Sequence, residues 1–399
     1  MKLFVKLFLF LLVVFPWGKI EGASPYIHKV YEYRPAPGQF VNKLPAYEAG
    51  DTQEDMNRKV EECLANNNQT MISLGGYGGY VIFGFDHAVQ NVAGKYDFKI
   101  YGNAFAAASN PNQSETRFGG SCEPGIVMVS YDANNNGLPD DEWYELAGSE
   151  YTKPETIKNY RLTYYKPDED KEKMPMPDYP IINDITYIKW ESNQGDEGYL
   201  YRNTFHSQSY YPQWINDETL TFEGTKLADN YVDESGNGSY YVQYAYDWGY
   251  ADNFPNTSER SNFNIERAVD INGISIHLSA IHFVKVYTGV NQYCGWLGET
   301  STEILGAEDL HLTGKDSDDL TTKISSVQNE NAFTLLRNPV GENLLIRSES
   351  KQSAAIYDIS GRQAMSFMLE QGDNYIACPL QPGLYLLKTT HRTVKFLKQ

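Results

Sequence analysis

The chain has 399 residues, room for two or three domains with sizeable cores, and a formal net charge of −19. That balance argues against nucleic acid or an anionic membrane as partner, and it suits calcium, a hard cation bound by carboxylate oxygens. With 31 tyrosines, six tryptophans and abundant Gly and Asn, the composition favours a β-rich extracellular protein, while four cysteines are too few for a disulfide framework.

In chain order, Met1–Lys6 is basic and Leu7–Phe15 is apolar and uncharged, which predicts a secretory signal peptide over residues 1–23 with cleavage near Gly22-Ala23. No cysteine near the cut offers a lipid anchor, and no later stretch approaches the roughly twenty apolar residues of a membrane span, so the mature chain is expected to have no transmembrane segment. Residues 24–70 read as a Pro-rich extension followed by one helix. Asp51 is its expected cap, Glu54 the capping-box partner, and Met56, Val60, Cys63 and Leu64 its apolar face. Residues 71–312 change to short β-branched and aromatic runs between Gly, Asn, Asp and Pro turns. Strands are predicted at Tyr80–Phe85, Asp97–Tyr101, Ile126–Tyr131, Arg161–Tyr165, Ile185–Trp190, Tyr240–Tyr246, Ile274–Leu278 and Phe283–Tyr287. The expected fold class is all-β, with a jelly-roll-like β-sandwich body and a single N-terminal helix. Residues 313–328 are polar and read as a linker, and 329–399 as a second small β unit.

Two patterns point to binding. Asp132, Asn134, Asn136 and Asp140 stand at positions one, three, five and nine of a loop with Gly137 at six, as in an EF-hand-type calcium loop. The Leu138 carbonyl would complete the inner ring. Trp143 stands where the bidentate Glu belongs, with Glu142 or Glu145 as its substitute; the alternative is a loop closed by Asx-turns. Separately, Tyr211 and Trp214, then Asp247, Trp248, Tyr250 and Asp252, and third Tyr293 and Trp296 with Glu299 and Glu303, combine aromatic faces with hydrogen-bonding groups. Rings that stack on apolar sugar faces beside carboxylates that bind hydroxyls make sugar sites, although each aromatic taken singly is also ordinary core material. Seven histidines form no HExxH motif and no recognisable triad, and no GxSxG elbow is present. Plentiful carboxylates leave a glycan hydrolase or lyase as an alternative to a non-catalytic binder. Cys122 and Cys294, both in Gly-rich loops, are candidates for a disulfide.

The tail carries Asn338-Pro339, Leu344-Leu345-Ile346, Ile356-Tyr357-Asp358, Gly361-Arg362, Pro382-Gly383-Leu384-Tyr385 and Lys395-Phe396. In this order it resembles the C-terminal sorting domain of type IX secretion. The resemblance implies delivery to the outer surface of a Bacteroidota cell, with the secretion machinery as partner. The run Leu74–Tyr131 resembles the front half of a galactose-binding-like jelly roll. Residues 24–312 resemble a family of Bacteroidota cell surface proteins, through Phe40-Val41-Asn42, Gly75–Asp86, Glu123–Tyr144, Tyr246–Asn253 and Trp296–Glu308. Some of that family are encoded beside vitamin B12 uptake genes. The resemblances together imply a surface binder of a glycan or other small polar nutrient, or an accessory to cobalamin acquisition.

Overall fold

Strand Lys29–Arg34 forms one edge of a six-stranded antiparallel sheet. The order continues through Tyr80–Gln90, Ala280–Thr288, Gly125–Ser130, Trp143–Leu146 and Ala268–Val269. The computed structural model describes residues 22–107, 117–319, 333–337, 339–348, 350–358, 362–389 and 393–399. Nearly all of the expected signal peptide, residues 320–328 of the expected linker, and Asn338 and Gly361 lie outside the described residues.

An edge strand exposes unpaired backbone groups, and here the helix Gln53–Leu64 covers them. Glu61 accepts the Val30 N–H at 2.9 Å and Asn57 Oδ1 accepts the Tyr33 N–H at 2.9 Å. Asn57 Nδ2 donates to the Tyr31 carbonyl at 3.3 Å, and Gln53 Nε2 to the Tyr33 carbonyl at 2.7 Å. Met56, Val60 and Leu64 are buried along one face as their spacing requires, and Cys63 is half-buried beside them. The capping box falls one residue later than expected: Thr52 caps, and Asp55 returns the bond to its backbone. Asp51 is instead held by Lys59 at 2.7 Å and by the Glu48 N–H at 2.7 Å.

The second sheet orders Glu197–Asn203, Ile182–Ser192, Ile157–Tyr165 and Thr219–Lys226, again antiparallel. In Ile157–Tyr165, Tyr160, Leu162 and Tyr164 are buried while Asn159 and Arg161 face solvent, the period of two of a half-buried strand. Val81, Phe83, Val127, Val129, Val284 and Val286 from the first sheet share one core with Leu162, Tyr164, Ile188, Leu200, Leu220 and Phe222 from the second. The protein is therefore all-β, a β-sandwich with a single long helix. Smaller ribbons flank it, among them Tyr231–Asp233 with Tyr241–Tyr244, and Ile72–Ser73 with Glu303–Ile304.

Ile274–Leu278, expected as a strand, is not one. Asp270 captures the N–H groups of Asn272 and Ile274, closing a turn that leaves Ile271 and Ile274 exposed. Cys122 and Cys294 are free thiols rather than a disulfide. Each is buried, and Cys294 Sγ lies 3.7 Å from the Thr300 hydroxyl. The body continues to Asp318, past Leu312: Leu310–Thr313 is a helical turn, and Lys95 pairs with Asp318. From Asp319 a second unit forms, with sheets Phe333–Leu335, Asn343–Ser348, Gly372–Ala377 and Gln363–Leu369, Gln352–Asp358, Gly383–Thr389, Thr393–Lys398. Leu344, Ile346, Ile356, Leu387 and Phe396 are buried in a core of its own. Among the described residues no helix is long and apolar enough to cross a membrane.

Asn57→Ala would orphan the Tyr33 N–H, so it should cost the body about 1–3 kcal/mol in urea unfolding. Arg58→Ala, on the exposed side of the same helix, should cost less than about 1 kcal/mol.

Candidate functional site

The aromatic residues singled out in the sequence do not assemble into one surface. Trp214 stacks between Tyr33 (5.8 Å) and Tyr47 (6.2 Å), and its Nε1 donates to Gln53, so it locks the helix to the core. Tyr211 is buried nearby with its hydroxyl on the Asp217 carbonyl. Tyr250 is buried against Tyr246 and accepts the Glu150 N–H. Trp248 is half-buried beneath Arg267, 3.9 Å away, and Asp247 is exposed. Asp252 and Trp296 lie elsewhere, and around them a site does form.

Trp296 belongs to the walls of two cavities of about 330 Å³ each. One is aromatic, lined by Tyr179, Tyr201, Tyr231, Tyr241 and Tyr293. The other is polar, lined by Gln39, Asn103, Glu123, Asn203, Gln243, Glu299 and Glu303, with Phe40 and His206 among its walls. The loop that carries Trp296 needs its glycines. Gly295 (φ 54°) and Gly298 (φ 98°) adopt left-handed backbone, and a Cβ on Gly295 would strike the Tyr241 ring at 2.3 Å. Trp296 Nε1 is directed at the Ser239 carbonyl (3.4 Å), leaving the ring faces for contact. Among the described residues, the Tyr293 hydroxyl and Glu299 Oε2 find no partner here.

The polar cavity is acidic. Glu123, Asp252 and Glu303 bring carboxylate oxygens within 4.8 Å of one another. Asp252, at φ 52°, accepts the N–H groups of Asn103 and of Glu303 (2.9 Å), and its carbonyl accepts the Glu123 N–H (2.9 Å). Burial pushes all three carboxyls above the ordinary range, and the charge of Glu123 raises its two neighbours further. Glu299, 5 % exposed, keeps Oε1 on the Gln39 N–H at 2.6 Å, and burial lifts its carboxyl to about 8. Gln39 is held in turn by Asn203 (2.9 Å) and by the Leu297 carbonyl (2.8 Å).

The calcium-like loop is tied by its own hydrogen bonds. Asp132 accepts the N–H groups of Asn136 (3.1 Å) and Gly137 (2.9 Å), and Asn136 Oδ1 that of Leu138 (2.8 Å). The amides of Asn134 and Asn136 donate to Asp140, while Glu142 turns away to the Tyr144 hydroxyl (2.9 Å). Asn135 and Gly137 take the positive φ that the turn demands.

Comparison with protein-family models and with curated proteins gave no match. Of the predicted residues, the site therefore keeps Asp252 and Trp296, with Glu299 and Glu303 from the same sequence group. Tyr293 belongs to that group as well, whereas Glu123 and Gln39 acquire their meaning only through folding.

Glu299 fixes a pH dependence. Its unfolded carboxyl ionises near the ordinary value of about 4.3, whereas the folded one holds its proton to about 8. Between these values the folded state binds the extra proton, so stability falls as pH rises. In chelator-containing buffer, Glu299→Gln should remove that share of the fall, and its melting temperature relative to wild type should climb between pH 5 and 8. A difference that is flat with pH contradicts the assignment.

Proposed function

We propose that the protein is a secreted, surface-displayed, non-catalytic binder of a glycan or other small polar nutrient, held where the two cavities meet at Trp296. The observation that carries this reading is the pairing of an aromatic cavity with an amide- and carboxylate-lined one. Each has a buried polar atom, Tyr293 Oη or Glu299 Oε2, that lacks a partner among the described residues. Sugars present one apolar face and a rim of hydroxyls, which such a pair of surfaces complements. The volumes lie at the small end of the roughly 300–1,000 Å³ usual for ligand sites, which favours a sugar unit over cobalamin. Glu123 and Glu303 bring carboxylate oxygens within 4.8 Å of each other, closer than the about 5 Å or more between the acids of a glycosidase, which favours binding over hydrolysis. Calcium in the Asp132–Asp140 loop is part of the proposal as a stabiliser of the body.

Export has a supporting detail at the other end of the chain. The Ser24 N–H donates to both carboxylate oxygens of Asp86, at 3.0 and 3.2 Å, and His87 holds the same carboxylate. Removal of a leader after Ala23 would put an ammonium group there, turning a hydrogen bond into a charged pair. The separate core of the tail fits an address that is read independently of its cargo.

A glycan array and cobalamin, offered to the purified protein, test the ligand. Trp296→Ala should weaken capture by about thirtyfold, the order of 2 kcal/mol for a central aromatic, with the fold intact by circular dichroism. Capture unchanged in that variant removes the site; cobalamin bound instead of glycan changes the ligand class. Export is tested by deletion of residues 329–399, which should leave the protein in the periplasm, and surface delivery without the tail would disprove the sorting reading.

A further inference from the structure

We propose that Glu123, Asp252 and Glu303 bind one calcium ion at the floor of the polar cavity, and that this ion meets the hydroxyls of the ligand. The binding of the ion stands on its own; its role toward a ligand rests on the proposed function. Several carboxylates withdrawn from solvent elsewhere in the body meet a basic side chain: Glu308 with Lys315 (2.6 Å), Asp309 with His87 (2.7 Å), Asp97 with His311 (3.0 Å), Glu145 with Lys158 (3.6 Å) and Asp184 with Lys171 (3.6 Å). Asp132 and Glu299 instead accept backbone N–H groups. Among the described residues, none of the three cavity carboxylates makes an ion pair, although Asp252 is 3 % and Glu303 5 % exposed. Three such groups in one place are tolerated only if a proton or a cation neutralises them.

The geometry accommodates a cation. Oxygens on opposite sides of a calcium ion, bound at 2.3–2.6 Å, stand about 4.6–5.2 Å apart, and the three carboxylates offer oxygens all within 4.8 Å. Their positions are fixed from outside the cluster. Asp252 is held by the Asn103 and Glu303 N–H groups, and Glu123 by the Ser121 hydroxyl (3.1 Å) and the Ser301 N–H (3.4 Å). Glu123 and Glu303 face the cavity, so an ion can enter and keep open positions for water or ligand. A second, independent sign of a ligand lies in the same wall, where Glu299, 95 % buried by its 5 % exposure, has an oxygen without a partner. That group is left to exchange a hydrogen bond with ion-bound water or with a sugar hydroxyl on the ion.

Calorimetric titration of the whole protein with Ca²⁺ alone, in chelator-stripped buffer at physiological salt, tests the proposal. Asp140→Ala serves as the background, because Asp140 is exposed and the change disables the 132–142 loop while leaving the cavity intact. One Ca²⁺ site should remain in that background, and adding Glu303→Gln should weaken it by at least about tenfold by lowering the ligand charge. Glu123→Gln provides the same test should Glu303→Gln not fold. Ca²⁺ should also raise the melting temperature of the Asp140→Ala protein, a measurement that needs no cavity variant. No Ca²⁺ uptake by the Asp140→Ala protein, or uptake indifferent to both glutamate changes, overturns the proposal. Since no sugar is present, neither result bears on capture at Trp296. Loss of glycan capture in Glu303→Gln with Trp296 untouched would connect the two.

Discussion

Asp252 holds the polar end of the body together. Its carboxylate accepts backbone N–H groups from the segments that begin at Asn103 and Glu303, and its carbonyl accepts the N–H of Glu123. To do so the residue takes a left-handed backbone conformation at φ 52°, uncommon for any side chain but Gly and tolerated best by Asn and Asp. Three loops distant in sequence are thereby pinned to one residue. The Glu123 and Glu303 side chains emerge beside it because their own backbones are fixed by it. The acidic floor of the cavity is thus a consequence of how the loops are joined, and its charge density is inseparable from the fold.

That constraint explains which parts were legible in the sequence. The helix was readable because Met56, Val60 and Leu64 repeat at helical spacing, and Arg161–Tyr165 because its run is aromatic and β-branched, although the strand starts earlier, at Ile157. Local chemistry alone decided both. The cap slipped by one residue because Asp51 and Thr52 are both good caps, and Lys59, a turn into the helix, took Asp51 away. Ile274–Leu278 has the β-branched character of a strand, but one aspartate, Asp270, spends its oxygens on the backbone ahead and closes a turn first.

The site was only half readable, for a different reason. Asp252 stood out because aromatics precede it, yet Tyr250 turns inward to Glu150 and Trp248 lies under Arg267. Proximity in sequence grouped residues that the sandwich then sent to separate places. Tyr211 and Trp214 show the same effect: Trp214 clamps the helix onto the core, and Tyr211 is buried with its hydroxyl on the Asp217 carbonyl. Trp296 was the weakest of the three groups by composition. It sits at a cavity because two left-handed glycines on either side lift the loop over Tyr241 and Gln39. Glu123 carried no signal of its own, since its partners arrive from far along the chain.

What the two cavities can do follows from how Trp296 is anchored. With its ring nitrogen directed at the Ser239 carbonyl, the indole keeps no donor for a ligand and offers only its faces. Any selectivity for hydroxyls must therefore come from the other wall, where Asn103, Gln243, Glu299 and the carboxylate pair converge. A purely apolar ligand would leave Glu299 Oε2 unpartnered, and a purely charged anion would meet three carboxylates. The ligand that leaves neither wall unsatisfied has an apolar face for the rings and neutral hydroxyl donors for the acids. A neutral sugar has both, and an ion at the floor would strengthen its hold on adjacent hydroxyls without excluding it by charge.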